Sequence, residues 1–142
     1  MLDKVAPYIY KYVPIDGGFS TYKEYLTAET AESLSSPNSI AIDGSIYVNN
    51  TSRLVRFISG AKDSFSLKSP DEYVINAFAI SPESDTIAIL DKDRERILLF
   101  SKSGEFLKQI VSSEIKRATS LLLDSNGKLL LQGEKGLYRL SE

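Results

Sequence analysis

The run Asp91-Lys92-Asp93-Arg94-Glu95 places three carboxylates at alternate positions, which is how a calcium-binding loop opens. The pattern then lapses. Arg96 stands where the sharp turn needs glycine, and Lys102 where the loop needs a bidentate Glu. The structural alternative is a solvated hairpin whose acids are neutralised by Lys92, Arg94 and Arg96. Asp43, Ser81 and Asp124 fall at equivalent points along the chain, and two of these three could supply oxygen ligands to a shared divalent ion. All three also begin turns, where Asp and Ser are expected in any case. The chain has no Cys and no His, which removes thiolate nucleophiles, zinc-thiolate sites, the commonest general base and the commonest transition-metal ligand. Ser and Thr are plentiful, but Gly-x-Ser-x-Gly does not occur and there is no His to activate a hydroxyl, so no activated nucleophile is expected. No catalytic residue, metal ligand or cofactor is expected.

What remains is recognition chemistry. Tyr8, Tyr10 and Tyr12 share one face of a strand by the period of two, and Tyr22 and Tyr25 lie close in sequence. These five residues form the expected interaction surface, with burial in a core or interface as the structural alternative. Arg56 and Arg139 occupy matching strand positions, as does Lys11, and are expected to face outward on a twisted sheet. Asn49-Asn50-Thr51 and Asn50-Thr51-Ser52 satisfy the glycosylation triplet but read more simply as turn residues. Seventeen basic and nineteen acidic residues give a net charge of -2, with neither sign gathered into a block. Neither nucleic acid nor an anionic membrane is therefore expected as a partner. No apolar run approaches the length that crosses a bilayer, and Met1 to Lys11 lacks the layout of a signal peptide. The compartment stays open, because a cysteine-free chain tolerates either redox state.

These residues must be positioned by strands. One unit recurs: an apolar strand, a polar turn, a second apolar strand, and a strand reading apolar-apolar-basic-aromatic or similar. The copies are Ser39–Asp43, Ser45–Asn49 and Leu54–Phe57; Phe78–Ser81, Thr86–Asp91 and Ile97–Phe100; and Leu121–Asp124, Lys128–Gln132 and Leu137–Leu140. They recur at about 40 residues, the length of a four-stranded propeller blade. Phe65-Ser66-Leu67 and Phe106 to Val111 read as fourth strands. At the N-terminus, Tyr8–Tyr12, the turn Asp16-Gly17-Gly18 and Phe19–Leu26 read as half a blade. Thr27–Ser36 and Ser113–Thr119 are polar connectors that can hold a helical turn. The leucine triplets 121–123 and 129–131 predict inner strands buried on both faces. The expected fold is all-β: a partial β-propeller of about three four-stranded antiparallel blades, two complete and two partial. It is divided as 1–36 (half-blade and connector), 37–70, 71–115 and 116–142 within a single domain.

Ser39 to Val48, Arg53 to Phe57 with Lys62 to Lys68, and Ile89 to Lys92 leading to Arg96 to Phe100 resemble NHL-like six-bladed propeller repeats. The likeness is greatest to the C-terminal repeat region of bacterial PP2C-type phosphatase-associated proteins. In that group the phosphatase chemistry belongs to a separate metal-binding domain whose motifs are missing here, so the resemblance implies a non-catalytic interaction or sensor module. Such a module is expected to belong to a larger protein or to be a half-ring that pairs with itself, with a protein partner or a second copy on its surface. The alternative is a metal-dependent, lactonase-like or hydrolytic propeller using Asp43 and Asp124.

Overall fold

The computed structural model describes residues 1–134 and 136–140. The chain divides into two compact units, one formed by Met1–Ile40 and Ser45–Ser64, the other by Ala41–Gly44 and the chain from Phe65 onward. Sheets of three, four, four and three strands follow one another, with a small hairpin beside the first.

In the first unit, β1 (Leu2–Asp3), β2 (Tyr8–Lys11) and β5 (Lys23–Glu24) form a sheet in the order β1-β2-β5. The expected half-blade had two strands. The third arises because Asp3 Oδ1 accepts the backbone N–H groups of Val5 and Ala6, at 2.9 and 3.0 Å, and so turns the chain back on itself. Between β2 and β5 the chain continues as β3 (Pro14–Ile15) and β4 (Gly18–Phe19), around a turn with Gly17 at φ +80°. Tyr10 faces Glu24, whereas Pro14 faces Phe19, so the ladder slips by one residue along this hairpin. The connector carries one helical turn, α1 (Ala28–Ala31).

The next sheet runs in sequence order: β6 (Pro37–Asp43), β7 (Ser45–Asn50), β8 (Arg53–Ile58) and β9 (Ala61–Lys62). Thr51 and Ser52, at φ +54° and +59°, make the β7–β8 turn, with both central residues left-handed as the twist of a hairpin favours. Asn50 is a buried strand end rather than a turn residue. Its Oδ1 accepts the N–H groups of Ser35 and Ser36, and its Nδ2 donates to Ser33 O, which ties the connector to the sheet. Ile9, Leu26, Leu34, Val48 and Phe57 form the core of this unit.

In the second unit, β10 (Ala77–Ile80), β11 (Thr86–Asp91), β12 (Arg96–Ser101) and β13 (Phe106–Val111) form an antiparallel meander. A 3₁₀ turn (Ser113–Arg117) leads to β14 (Ala118–Leu123), β15 (Leu129–Gly133) and β16 (Gly136–Arg139). The strands buried along nearly their whole length are β11 and β12, not the leucine triplets. In β14 the chain buries Leu121 but leaves Leu122 exposed, the alternation of a strand covered on one face.

The fourth strand of the first complete sheet is β9, not Phe65-Ser66-Leu67. The segment from Phe65 passes instead to the second unit, where Lys68 bridges Glu105 in parallel and its N–H donates to Gly104 O at 2.8 Å. Thr27 makes the matching contact in the first unit, donating to Gly60 O at 3.0 Å. Each four-stranded sheet thus holds an incoming connector at the glycine of its last turn.

Candidate functional site

Alternation and register place the tyrosines. Side chains directly opposite each other in a ladder share a face of the sheet. Asp3 opposite Tyr8 and Glu24 opposite Tyr10 therefore put both acids on the face that carries these rings. Leu2 opposite Ile9, and Lys11 opposite Lys23, lie on the other face, where Leu2 and Ile9 enter the core.

Four of the five expected surface tyrosines meet. Tyr8 and Tyr10 have ring centroids 5.3 Å apart, Tyr10 and Tyr22 meet edge-on at 4.9 Å, and Tyr12 and Tyr22 lie 6.4 Å apart. Tyr22 is 58% exposed and Tyr12 38%. Tyr25 does not join them. Its N–H donates to Ile9 O, which sets it on the core face, and its ring packs against the hydrophobic cluster. Asp3 and Glu24 were missed from the sequence. The Tyr22, Glu24 alternation could have disclosed Glu24, but Asp3 needed β1.

The Tyr8 hydroxyl donates to Leu26 O at 3.0 Å and, more distantly, to Glu24 Oε2 at 3.4 Å. Burial, then the Glu24 carboxylate, raises the Tyr8 hydroxyl pKa; burial, then Asp3, does the same for Tyr10. Both hydroxyls stay neutral donors at ordinary pH. The arrangement is an aromatic surface edged by two carboxylates.

The acidic loop differs from the solvated hairpin expected. Asp91 and Arg96 are opposite each other at its base and both are buried. Arg96 Nε donates to Asp91 Oδ2 at 3.0 Å, while its other nitrogens reach both oxygens of Asp71, Gln109 Oε1 and Glu72 O. Burial is tolerated because the guanidinium is so fully paired. The two acids weighed as metal ligands have other partners. Asp43 pairs with Lys102. Asp124 Oδ1 accepts from the backbone of Asn126 and Lys128. Of the three matched cations, Arg56 pairs with Asp63 and lies 5.9 Å from the Tyr47 ring centre, Arg139 approaches Asp124 at 3.8 Å, and Lys11 is exposed. In the second unit, a cavity of about 800 Å³ is bounded by Ile110, Val111, Leu131 and Tyr138, with Arg117 and Glu134 at its polar side.

No family model matches the sequence, and no curated protein matches it. Solved structures do match. The chain is similar to Myxococcus xanthus glutaminyl cyclase at TM-score 0.62 and 10% identity, over 93% of this chain and 62% of that one. It is similar to Saccharomyces cerevisiae Sqt1 at TM-score 0.54 and 16% identity, over 93% of this chain and 45% of that one. Kuenenia stuttgartiensis hydrazine synthase matches at TM-score 0.51 and 8% identity, over 75% of this chain and 36% of that one. The chain thus spans less than two thirds of each of these three structures. At these identities the likeness shows the fold alone: the chain is an all-β, partial β-propeller.

Proposed function

We propose that this chain is a non-catalytic interaction module of propeller blades, in a larger protein or a self-pairing half-ring, and that its tyrosine face meets a protein partner. The observation that carries this reading is the chain of ring contacts Tyr8, Tyr10, Tyr22 and Tyr12 on the sheet face opposite the one that bears Leu2 and Ile9. Aromatic side chains that are partly exposed and held rigid are the residues that supply most energy at protein interfaces. Within the propeller class, we read the blades as NHL-like, of the kind attached to phosphatase domains, from Ser39 to Val48, Arg53 to Phe57 with Lys62 to Lys68, and Ile89 to Lys92 leading to Arg96 to Phe100. The pairing of Asp43 with Lys102, and the use of Asp124 to close its own turn, weigh against a metal-dependent hydrolase.

Two measurements test the reading. Light scattering over a concentration series should show association that weakens when Tyr22 is replaced by Ser. A stable monomer of 15.8 kDa at all concentrations would exclude the self-pairing half-ring. Assays with lactones and esters in calcium, magnesium or zinc should show no turnover. Turnover abolished by Asp43→Asn or Asp124→Asn would overturn the non-catalytic reading.

A further inference from the structure

We propose that the tyrosine face of β1, β2 and β5 is a docking site for an extended, arginine-bearing peptide segment. This rests on the reading of that face as an interaction surface and adds the chemistry of its partner.

Charge is the first argument. Asp3 and Glu24 stand on the tyrosine face, whereas the two cations of these strands, Lys11 and Lys23, face each other on the opposite side. The face therefore combines the rings of Tyr10, Tyr12 and Tyr22, with Tyr8 packed beneath them against the core cluster, and two carboxylates, and its complement is a cation. Glu24 receives only a long bond, 3.4 Å, from the Tyr8 hydroxyl, so its carboxylate retains capacity for a two-pronged donor. Arginine fits better than lysine, because its planar guanidinium stacks on a ring while its edge pairs with a carboxylate.

Spacing is the second. Tyr8, Tyr10 and Tyr12 alternate along the chain, at a side-chain repeat of roughly 7 Å. An extended peptide has the same backbone repeat, and the Tyr8 and Tyr10 rings lean together to 5.3 Å, so its side chains meet a joined aromatic surface rather than one ring each. Tyr22, the most exposed of the four, is the ring most open to stacking.

The test uses the whole chain and three labelled octapeptides in which glycine alternates with arginine, lysine or glutamate, read by fluorescence anisotropy. The arginine peptide should bind, the lysine peptide about threefold or more weakly, and the glutamate peptide not at all. Tyr22→Leu should weaken arginine-peptide binding about tenfold, and Glu24→Gln several-fold. Because Tyr22 is exposed, its replacement should leave the thermal midpoint in place; Tyr12→Leu is a second variant with the same expectation. Equal binding by wild type and both leucine variants would overturn the proposal, as would failure of the arginine peptide to bind. If that peptide fails to bind while self-association is lost in Tyr22→Leu, a second copy covers the face, and only the arginine assignment falls. If neither binding nor self-association occurs, the reading of the face as an interaction surface falls with it.

Discussion

Arg96 grips Asp71 through two parallel hydrogen bonds, Nη1 to Oδ2 and Nη2 to Oδ1, both of 2.9 Å, although the residues lie 25 positions apart. The same guanidinium meets Asp91, whose side chain is wholly buried. It thereby fastens the connector before β10 to the base of the β11–β12 hairpin. Replacing Arg96 by Met leaves the buried Asp91 charge with only the more distant Arg94, at 3.6 Å, which should cost about 3 kcal/mol. Asp71→Asn should cost less, because Asp71 is exposed on its outer side and Arg96 keeps Asp91. Urea unfolding should rank the variants in that order. Equal stability of Arg96→Met and wild type would mean that the network carries no net energy.

Stability should fall in acid and stay level through neutrality. Hydrogen bonds from Arg56 hold Asp63 below its ordinary pKa of 3.8, those from Arg96 do so for Asp71, and the Lys128 backbone N–H leads for Asp124. A carboxylate whose folded pKa is depressed contributes stability that is complete above its unfolded value and lost as pH falls through the folded one. The decline should therefore begin near pH 4 and deepen below it. At the alkaline end Tyr8 and Tyr10, raised above 10.0, contribute stability that is lost as pH climbs past that value. With no His, no step is expected between about pH 5 and 8. Chemical denaturation across pH checks this, and a sharp neutral transition would contradict it.

Gly60 and Gly104 should tolerate no side chain. Their φ angles are +85° and +93°, and an added Cβ would lie 2.3 Å from Tyr25 O and 2.2 Å from Ser66 O. Both faults act on backbone that cannot yield cheaply, so Gly60→Ala and Gly104→Ala should each cost about 1–3 kcal/mol or more. Gly44 shares the positive φ, at +63°, but has nothing within 4 Å. Gly44→Ala should therefore cost only the conformational strain, about 1–2 kcal/mol. Thermal unfolding of the three variants separates the two contributions. Equal losses at all three sites would show that the connectors do not pack where the structure places them.

The blade pattern was legible because it is written in short-range signals. Short apolar strands such as Ser45 to Asn50, the all-apolar run in β12, and glycine turns such as Asn126-Gly127 bias the chain toward hairpins wherever they occur. Tyr8, Tyr10 and Tyr12 share a face for the same local reason. Which face that is, and what shares it, depended on pairing. The bond from Tyr25 N–H to Ile9 O turns Tyr25 into the core, and a one-residue slip would have turned it out. Asp3 reached the tyrosine face only because β1 folds back on β2. Asp91 is buried rather than solvated because of Asp71 and Gln109, partners of Arg96 that lie outside the hairpin. Phe65 to Lys68 has the composition of a strand, yet Ala61 and Lys62 reach the edge of β8 first and leave the later segment to meet Gly104. Alternation and turn chemistry act over a few residues, so the sequence alone determined the long central strands, though not β1 or β9. Register, burial of charge and the destination of a connector are settled by groups far along the chain, and only the tertiary structure brings those together.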